Sequence, residues 1–233
     1  MKPLYLSPPV RRDLGPCLRP GGLKLTQRIL DLLAPPAASL VLDAGCGTGA
    51  SMALLRKYGM CRVMGFDIEP ELACEARRQD LSVALADLAR LPLADRCLDL
   101  ILSECVWNLT NRRGTAGEFA RVVRPGGHIA LTDIYNRSGK NGDWPLPCCF
   151  SGASGLASVT EIFSEVGFTI EVLEDHSPLL NQTAAEFVFA HGSLQNFWQA
   201  VTGDRELASA ACSAAAAGRP GLFLLIARRK EAS

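Results

Sequence analysis

One stretch decides the fold of this chain: Val41-Leu42-Asp43-Ala44-Gly45-Cys46-Gly47-Thr48-Gly49. A short apolar strand over 39–43 runs into the glycines, and a helical pattern over 50–58 follows. Glycines allow a tight turn and a close approach of the backbone to a ligand. The start of the helix adds unpaired N–H groups and a partial positive charge. The stretch therefore predicts a strand, a ligand-binding loop and a helix.

Two kinds of cofactor fit such a loop. Gly45, Gly47 and Ala50 satisfy the dinucleotide fingerprint G-x-G-x-x-G/A. Asp43, however, stands directly before the loop, where a carboxylate would repel a pyrophosphate. The same carboxylate suits a cofactor with a cationic amino-acid end. Asp43 therefore favours a cofactor with a cationic amino-acid end over a dinucleotide.

Two further acids follow predicted strands. Asp67 ends the strand over 62–67 and can accept hydrogen bonds from both hydroxyls of a ribose, a device that nicotinamide enzymes share. Asp87 and Leu88 follow the strand over 82–85. There the carboxylate can accept from the exocyclic amine of an adenine, while the neighbouring backbone N–H reaches its ring.

Strands and helices alternate outward from the glycine stretch. Further strands are predicted over 98–103, 127–133, 168–173 and 222–228, and helices over 21–33, 70–79, 115–123, 156–166 and, mostly, 183–217. This alternation is typical of an α/β fold with a doubly wound parallel sheet, which binds ligands at the carboxyl ends of its strands. Residues 1–20 are predicted to form an irregular arm.

The motifs reached so far resemble those of class I S-adenosylmethionine (SAM) dependent methyltransferases, in particular the type 11 and quinone-biosynthesis-like groups. The resemblance covers about 22–135 and includes the glycine stretch, the acids, 97–101 and the turn at 124–127. It implies a Rossmann-like seven-stranded sheet whose last strand, 222–228, is antiparallel. It also implies one methyltransferase domain over 21–233, with the arm over 1–20 and an active-site loop over 136–154 covering the site.

The resemblance also implies a cofactor site for SAM and its product S-adenosylhomocysteine (SAH). Asp43, Gly45 and Gly47 would hold the methionine end, Asp67 the ribose, and Asp87 with Leu88 the adenine. Ser103 and Glu104, at the end of the fourth strand, would lie beside the sulfonium. Neighbouring positions complete the predicted set of cofactor-binding residues: Ala44, Cys46 and Ile68.

The catalytic residues are less defined, because in-line methyl transfer needs a general base only when the nucleophile carries a proton. His128, His176 and His191 lie away from the motifs or at the wrong end of the sheet. The candidates that remain are Tyr135, after the fifth strand, and two cysteines.

Those cysteines, Cys105 and Cys149, resemble metalloid-binding positions of arsenite methyltransferases. Thiolates are soft ligands and select thiophilic centres such as trivalent arsenic. The extra upstream cysteine of that family has no clear match, since Cys17 lies in the arm and Cys46 in the glycine loop. A small organic acceptor is therefore favoured, with metalloid methylation as one alternative and a non-catalytic SAM-binding interaction module as another.

The bulk composition bears on partners and location. Lys and Arg together number 24, as do Asp and Glu, so the chain lacks the basic excess typical of a nucleic-acid binder. It contains neither an apolar run long enough to span a bilayer nor the core of a signal peptide. The nine cysteines include no C-x-x-C, and no metal site is predicted. We predict a cytoplasmic protein without nucleic-acid or membrane partners, and leave a homodimer open.

Overall fold

The computed structural model describes residues 3–60, 62–139 and 144–231 of the chain. The first two residues of the predicted arm and residues 140–143 of the predicted active-site loop lie outside that description. None of the helices within the described ranges is long and apolar enough to cross a membrane.

The described residues form strands and helices close to the predicted ones. The strands are β1 Val41–Ala44, β2 Val63–Asp67, β3 Val83–Leu85, β4 Leu98–Glu104, β5 Val123–Asn136, β6 Phe168–Asp175 and β7 Pro220–Arg229. The helices are α1 Pro8–Leu14, α2 Lys24–Leu33, α3 Ala50–Lys57, α4 Pro70–Arg77, α5 Arg112–Val122, α6 Leu156–Glu165, α7 Ser177–His191, α8 Leu194–Thr202 and α9 Arg205–Gly218.

The strands form a seven-stranded sheet in the order β3-β2-β1-β4-β5-β7-β6. Strands β1 to β5 pair in parallel, while β7 lies between β5 and β6 and is antiparallel to both. The predicted Rossmann-like α/β fold with an antiparallel last strand is confirmed. Because the strand order reverses between β1 and β4, a crevice forms at their carboxyl ends.

Strand β7 shows how the sheet is buried on both faces. Phe223, Leu225 and Ala227 pack into the core beneath α5 and α6, whereas Leu222, Leu224 and Ile226 pack into the core beneath α2 and α7. Successive side chains of a strand point to opposite faces, so a strand covered on both sides is apolar throughout. The two cores hold the ends of β1, β2 and β4 in a rigid frame.

The amino-terminal arm is more ordered than predicted. Residues 8–14 form α1, and short 3₁₀ turns lie at Leu4–Leu6 and Gly15–Cys17. The proline-rich composition suggested irregular chain, but Pro8 and Pro9 occupy the first turn of α1, where proline costs no hydrogen bond. Tertiary contacts then hold the arm: Arg11 pairs with Glu75 at 2.6 Å.

Candidate functional site

A cavity of about 460 Å³ opens at the carboxyl ends of the parallel strands. This volume lies within the range usual for small-molecule sites. The loops after β1 to β4 form one side, and the arm and the loop before α6 form the other. The residues that line the cavity and are used below are Tyr5, Cys17, Arg19, Gly45, Cys46, Gly47, Asp67, Ile68, Asp87, Leu88, Glu104, Cys105 and Val106.

The glycine loop after β1 turns in a way that side chains would obstruct. Gly45 has φ +79°, and a Cβ built there would lie 2.5 Å from a methyl carbon of Val106. Gly49 has φ +87°, and its Cβ would lie 2.2 Å from Leu81. The N–H groups of Gly45 and Cys46 both donate to the carbonyl of Phe66, which joins the loop to β2. Glycine is therefore required by backbone conformation and by close packing together.

Asp67, at the end of β2, is held by the backbone around it. One carboxylate oxygen accepts from the N–H of Gly47 at 2.7 Å, and the other accepts from the N–H of Glu69 at 2.9 Å. Burial raises the pKa of Asp67, and these backbone hydrogen bonds oppose the rise. A carboxylate has about four lone-pair positions, so the side chain keeps acceptor capacity toward the cavity.

The outer end of the cavity combines a carboxylate with apolar surface. Asp87 is exposed and accepts from the N–H of Ala89 at 2.9 Å, while Leu88 beside it is buried. Ile68 is 64% exposed, which is unusual for a side chain of this size. A flat heterocycle could lie against Ile68 with its polar edge toward Asp87 and the adjacent backbone.

Asp43 lies beneath the glycine loop rather than in the lining. Its side chain is 3% exposed, and burial, together with the charge of Glu104, raises its pKa to about 7. Its Oδ2 atom has no hydrogen-bond partner among the described residues, and the same holds for the hydroxyl of Ser103. Ala44 is also buried. The predicted cofactor residues Asp43, Ala44 and Ser103 are thus buried outside the cavity lining. Glu104, by contrast, lines the cavity.

Glu104 is the centre of a buried polar cluster. It pairs with Arg19 at 2.9 Å, and it accepts from the hydroxyls of Thr26 at 3.0 Å and Ser51 at 2.6 Å. Arg19 comes from the arm and was not predicted as a site residue. Nothing in the local sequence distinguishes it from the other arginines of the arm, because only the tertiary fold brings it to β4.

Thiols gather at the inner wall of the cavity. Cys105 follows Glu104 and lines the cavity, with φ +57°. Its side chain shares a hydrogen bond with Cys149, and this hydrogen bond, together with burial, raises the pKa of the Cys149 thiol. Cys17 of the arm also lines the cavity, a position that the sequence did not predict. Cys46, by contrast, packs its thiol against Met52, as a small apolar side chain would.

Asn108 holds the Cys149 segment in place. Its side-chain amide donates to the carboxylate of Asp133 at 3.0 Å and to the carbonyls of Ile134 at 2.7 Å and Cys149 at 2.9 Å. Burial raises the pKa of Asp133 to about 7, against the lowering effect of its hydrogen bonds with Asn108 and Ile134. One amide thus joins the turn after β4, the end of β5 and the loop that carries Cys149.

Tyr135 does not reach the cavity. It is buried, lies edge-on to Phe223 with ring centroids 6.2 Å apart, and is absent from the described lining. The prediction that it faces the ligand was based on its place after the predicted strand over 127–133, but β5 continues to Asn136 and carries Tyr135 into the core. The histidines pair with acids elsewhere, His191 with Asp13 at 2.6 Å for example.

The described residues include no group of three or more His, Cys, Asp or Glu side chains placed to hold a metal ion. Cys105 and Cys149 are in contact as a pair. A third sulfur ligand for a metalloid would require another side chain to move toward them.

Comparison with known proteins identifies the domain. Residues 42–131 match a family described as "Methyltransferase domain". The matched stretch begins in β1 and ends in β5, so it contains the glycine loop and the ends of β2, β3 and β4. The match agrees with the predicted methyltransferase domain over this part of the chain.

Two curated relatives illustrate how broad the family is. The malonyl-[acyl-carrier protein] O-methyltransferase of Herminiimonas arsenicoxydans is 31% identical over 116 residues, which cover 49% of this chain and 45% of that protein. The arsenite methyltransferase of Halobacterium salinarum is 28% identical over 149 residues, which cover 58% of this chain and 38% of that protein. The matches thus span less than half of either relative.

Among solved structures, a geranyl diphosphate methyltransferase in complex with SAM superimposes with a TM-score of 0.70 at 16% identity. The superposition covers 89% of this chain and 85% of that one. The likeness extends well beyond 42–131, so the fold is shared over nearly the whole described chain. At this identity it supports the fold and carries no information about the acceptor.

Proposed function

We propose that this chain, which carries a class I SAM-dependent methyltransferase domain, transfers a methyl group from SAM to a small-molecule acceptor by in-line displacement. The observation that carries the proposal is the cavity at the β1–β4 switch point, where the glycine loop, Asp67 and Glu104 meet. The unpartnered Oδ2 of Asp43 beneath this loop fits a ligand that brings a cation.

Each part of the predicted cofactor site has a role in the proposal. Gly45 and Gly47 admit the ligand close to the backbone, and Asp67 accepts from the ribose hydroxyls. Asp87 and Leu88 bind the adenine, and Ile68 provides an apolar surface against its ring. When bound, SAM would supply an electrophilic methyl group on a sulfonium. The chain's own contribution is to hold that sulfonium beside Glu104 and to exclude water with side chains such as Val106.

No general base is needed in this proposal for an acceptor that reaches the site deprotonated or carries a lone pair. The ionisable groups of the described lining include thiols, acids and Tyr5 but no histidine. Burial raises the pKa of Tyr5 well above its ordinary value, with a further rise from Glu69. Acceleration would therefore come mainly from alignment and desolvation. The predicted cytoplasmic location and a homodimer stay predictions.

The test begins with ligand binding. SAM or SAH should raise the melting temperature in proportion to the logarithm of its concentration, and NAD should not. A screen with labelled SAM against small acids, quinols, thiols and arsenite would then identify the acceptor. A shift with NAD and none with SAM would contradict the proposal. Binding of SAM without transfer to any acceptor would favour the interaction module.

The contact between Cys105 and Cys149 favours a second candidate, methylation of a thiophilic centre such as arsenite. Two thiolates could bind trivalent arsenic, which keeps a lone pair for attack on the methyl carbon. The raised pKa of Cys149 keeps its thiol protonated at neutral pH, so on binding to As(OH)₃ its proton would leave as water with the hydroxyl that it displaces. Arsenite affinity should fall in Cys105→Ser and Cys149→Ser but not in Cys74→Ser, which changes an exposed thiol on α4. Equal affinity in all forms would remove this candidate.

A further inference from the structure

Two cysteines from distant parts of the chain meet at the inner wall of the cavity. Cys105 follows β4 and belongs to the described lining, while Cys149, in the loop before α6, is absent from that lining. Their side chains share a hydrogen bond, and both pack against the core beneath α2 and α7. The pair is therefore a contact between two segments that only the fold brings together.

The backbone on each side of this pair is fixed. The N–H of Cys105 donates to the carbonyl of Thr132 at 2.7 Å, and its φ of +57° is a conformation that a residue with a side chain rarely adopts. The carbonyl of Cys149 accepts from the side-chain amide of Asn108 at 2.9 Å. A Cβ on Gly152 would lie 2.0 Å from the carbonyl oxygen of Asn108, so the loop lies directly against the turn after β4. Two thiols that rigid segments already hold in contact lose little conformational freedom when a bond joins them.

The two thiols differ in access and in proton position. The hydrogen bond, together with burial, raises the pKa of Cys149, so at neutral pH Cys149 keeps its proton and donates it toward the sulfur of Cys105. An oxidant that enters the cavity reaches Cys105 first, because only that member of the pair belongs to the described lining. The neighbouring Cys148 packs elsewhere, in a cluster with Trp144 and Trp198. The arrangement is that of an accessible thiol backed by a resolving thiol.

We propose that Cys105 and Cys149 form a reversible disulfide when a peroxide enters the cavity. The sulfur of Cys105 attacks one oxygen of hydrogen peroxide, the O–O bond breaks, and the departing hydroxide takes the thiol proton and leaves as water. Cys105 is then a sulfenic acid. The sulfur of Cys149 attacks the sulfur of Cys105, the S–O bond breaks, and the hydroxyl leaves as water with the proton of Cys149. Two thiols are thus oxidised to one disulfide, while one peroxide is reduced to two waters.

The disulfide itself does not depend on the proposed function, whereas its consequence for methyl transfer rests on that function. The bond ties the loop that carries Pro147, a residue of the cavity lining, to the end of β4. It also removes both thiols from the cavity wall. The glycine loop, Asp67 and Asp87 lie outside the two linked segments. Oxidation therefore denies this wall to an acceptor and leaves the cofactor side open.

The experiment treats the reduced full chain with hydrogen peroxide and identifies the linkage by mass spectrometry of alkylated peptides. Wild-type protein should lose the mass of two hydrogen atoms and yield one linked pair of peptides, which contain Cys105 and Cys149. Because a cross-link restricts the unfolded chain, the melting temperature should rise by about 5–10 °C and return to its starting value with dithiothreitol. Calorimetry with SAH should give affinities for the reduced and oxidised forms that agree within about threefold, since the link lies outside the glycine loop.

Four serine variants locate the bond. Cys105→Ser and Cys149→Ser should each form no such link and show no rise in melting temperature with peroxide. Cys17→Ser removes the thiol that the arm contributes to the cavity lining, and it should form the link as the wild type does. Cys74→Ser changes an exposed thiol on α4 and should also behave as the wild type. Circular dichroism of the reduced variants checks that each one folds.

The outcomes separate this proposal from the proposed function. A link between other cysteines, or oxidation of Cys105 to a sulfinic acid without any link, would overturn the disulfide. A larger loss of SAH affinity on oxidation than the stated limit would overturn the separation between the thiol wall and the cofactor side. Wild-type protein that forms the disulfide but binds no SAH in either form would contradict the proposed function and leave the disulfide supported.

Discussion

Strands β1 and β4 are neighbours in the sheet and end in similar ways, yet their ends behave differently. Each has an acid at or next to its last residue, Asp43 on β1 and Glu104 on β4. A residue with left-handed backbone follows each strand: Gly45, which precedes the thiol of Cys46, and Cys105, which carries a thiol itself. On β4, Glu104 forms an ion pair with an arginine and accepts hydrogen bonds from two hydroxyls. On β1, one carboxylate oxygen of Asp43 has no hydrogen-bond partner among the described residues. The comparison teaches that the surroundings, rather than the motif, determine how an acid is used.

The left-handed residues differ as well. On β1 this residue is Gly45, with φ +79°, which glycine adopts without strain. On β4 it is Cys105 itself, with φ +57°, a conformation that costs a side-chain-bearing residue roughly 1 kcal/mol or more. Strain retained at a cavity wall is a reason to suspect a functional thiol. The thiol of Cys46 on the β1 side, packed against Met52, gives no such reason.

The largest effect should come from disrupting the buried polar cluster around Glu104, at the end of β4. Glu104→Gln leaves Arg19 buried without its countercharge, so we expect the free energy of unfolding to fall by about 3–5 kcal/mol. Urea unfolding at neutral pH measures this. The matched control is Glu174→Gln, which breaks the more exposed pair with Arg28 and should cost less than about 1 kcal/mol. Equal losses in the two variants would mean that the cluster contributes no more than a surface ion pair.

Removing the charge of Asp43 on β1 should instead raise the free energy of unfolding. The pKa of Asp43 is about 7 in the folded protein and about 3.9 when unfolded, so the folded state binds more protons between these values. The free energy of unfolding of the wild type therefore falls as pH rises through this window. Asp43→Asn should be more stable than the wild type by about 2–4 kcal/mol at pH 8, with a smaller gain at pH 5.

The measurement for Asp43 is urea unfolding of the unliganded protein at both pH values. Asp31→Asn, at an exposed position of α2, is the control and should show no pH-dependent gain. A gain of the same size at pH 5 and pH 8 would show that burial of the ionised carboxylate is not its source.

The smallest of the three effects concerns the backbone at Gly45. Gly45→Ala introduces a Cβ at a positive φ and into contact with Val106, so we expect a loss of about 2 kcal/mol in thermal or urea unfolding. Gly59→Ala is the control, because Gly59 has φ +81° and open space around it. It should cost about 1 kcal/mol from the backbone alone. If both variants lose the same amount, the contact with Val106 does not contribute.

Much of the fold was predictable from local pattern. Strand β1, the glycine loop and Asp67 could be placed because the glycine spacing and the apolar runs are short-range signals. The antiparallel last strand followed from the resemblance to a family. Tyr135 was misplaced because strand ends are poorly marked in sequence, and β5 extends to Asn136.

The missed parts of the site depend on long-range contacts. Arg19 meets Glu104 across 85 positions of the chain, and no local pattern encodes such a meeting. The same is true of Cys17 in the cavity lining. Cys105 and Cys149, by contrast, could be named together in advance, but only through the resemblance to arsenite methyltransferases. Helix α1 of the arm could not be predicted, because prolines occur both in the first turn of a helix and in irregular segments.

The position of β7 between β5 and β6 has a consequence for how the protein is made. Residues 220–229 are synthesised long after the two strands that they join. Until they emerge, β5 and β6 each present an open edge of unpaired backbone groups, which can pair with other chains. Pairing across such sequence distances is slow. Completion of this half of the sheet is therefore a late step, and the nascent chain is most exposed to aggregation just before it.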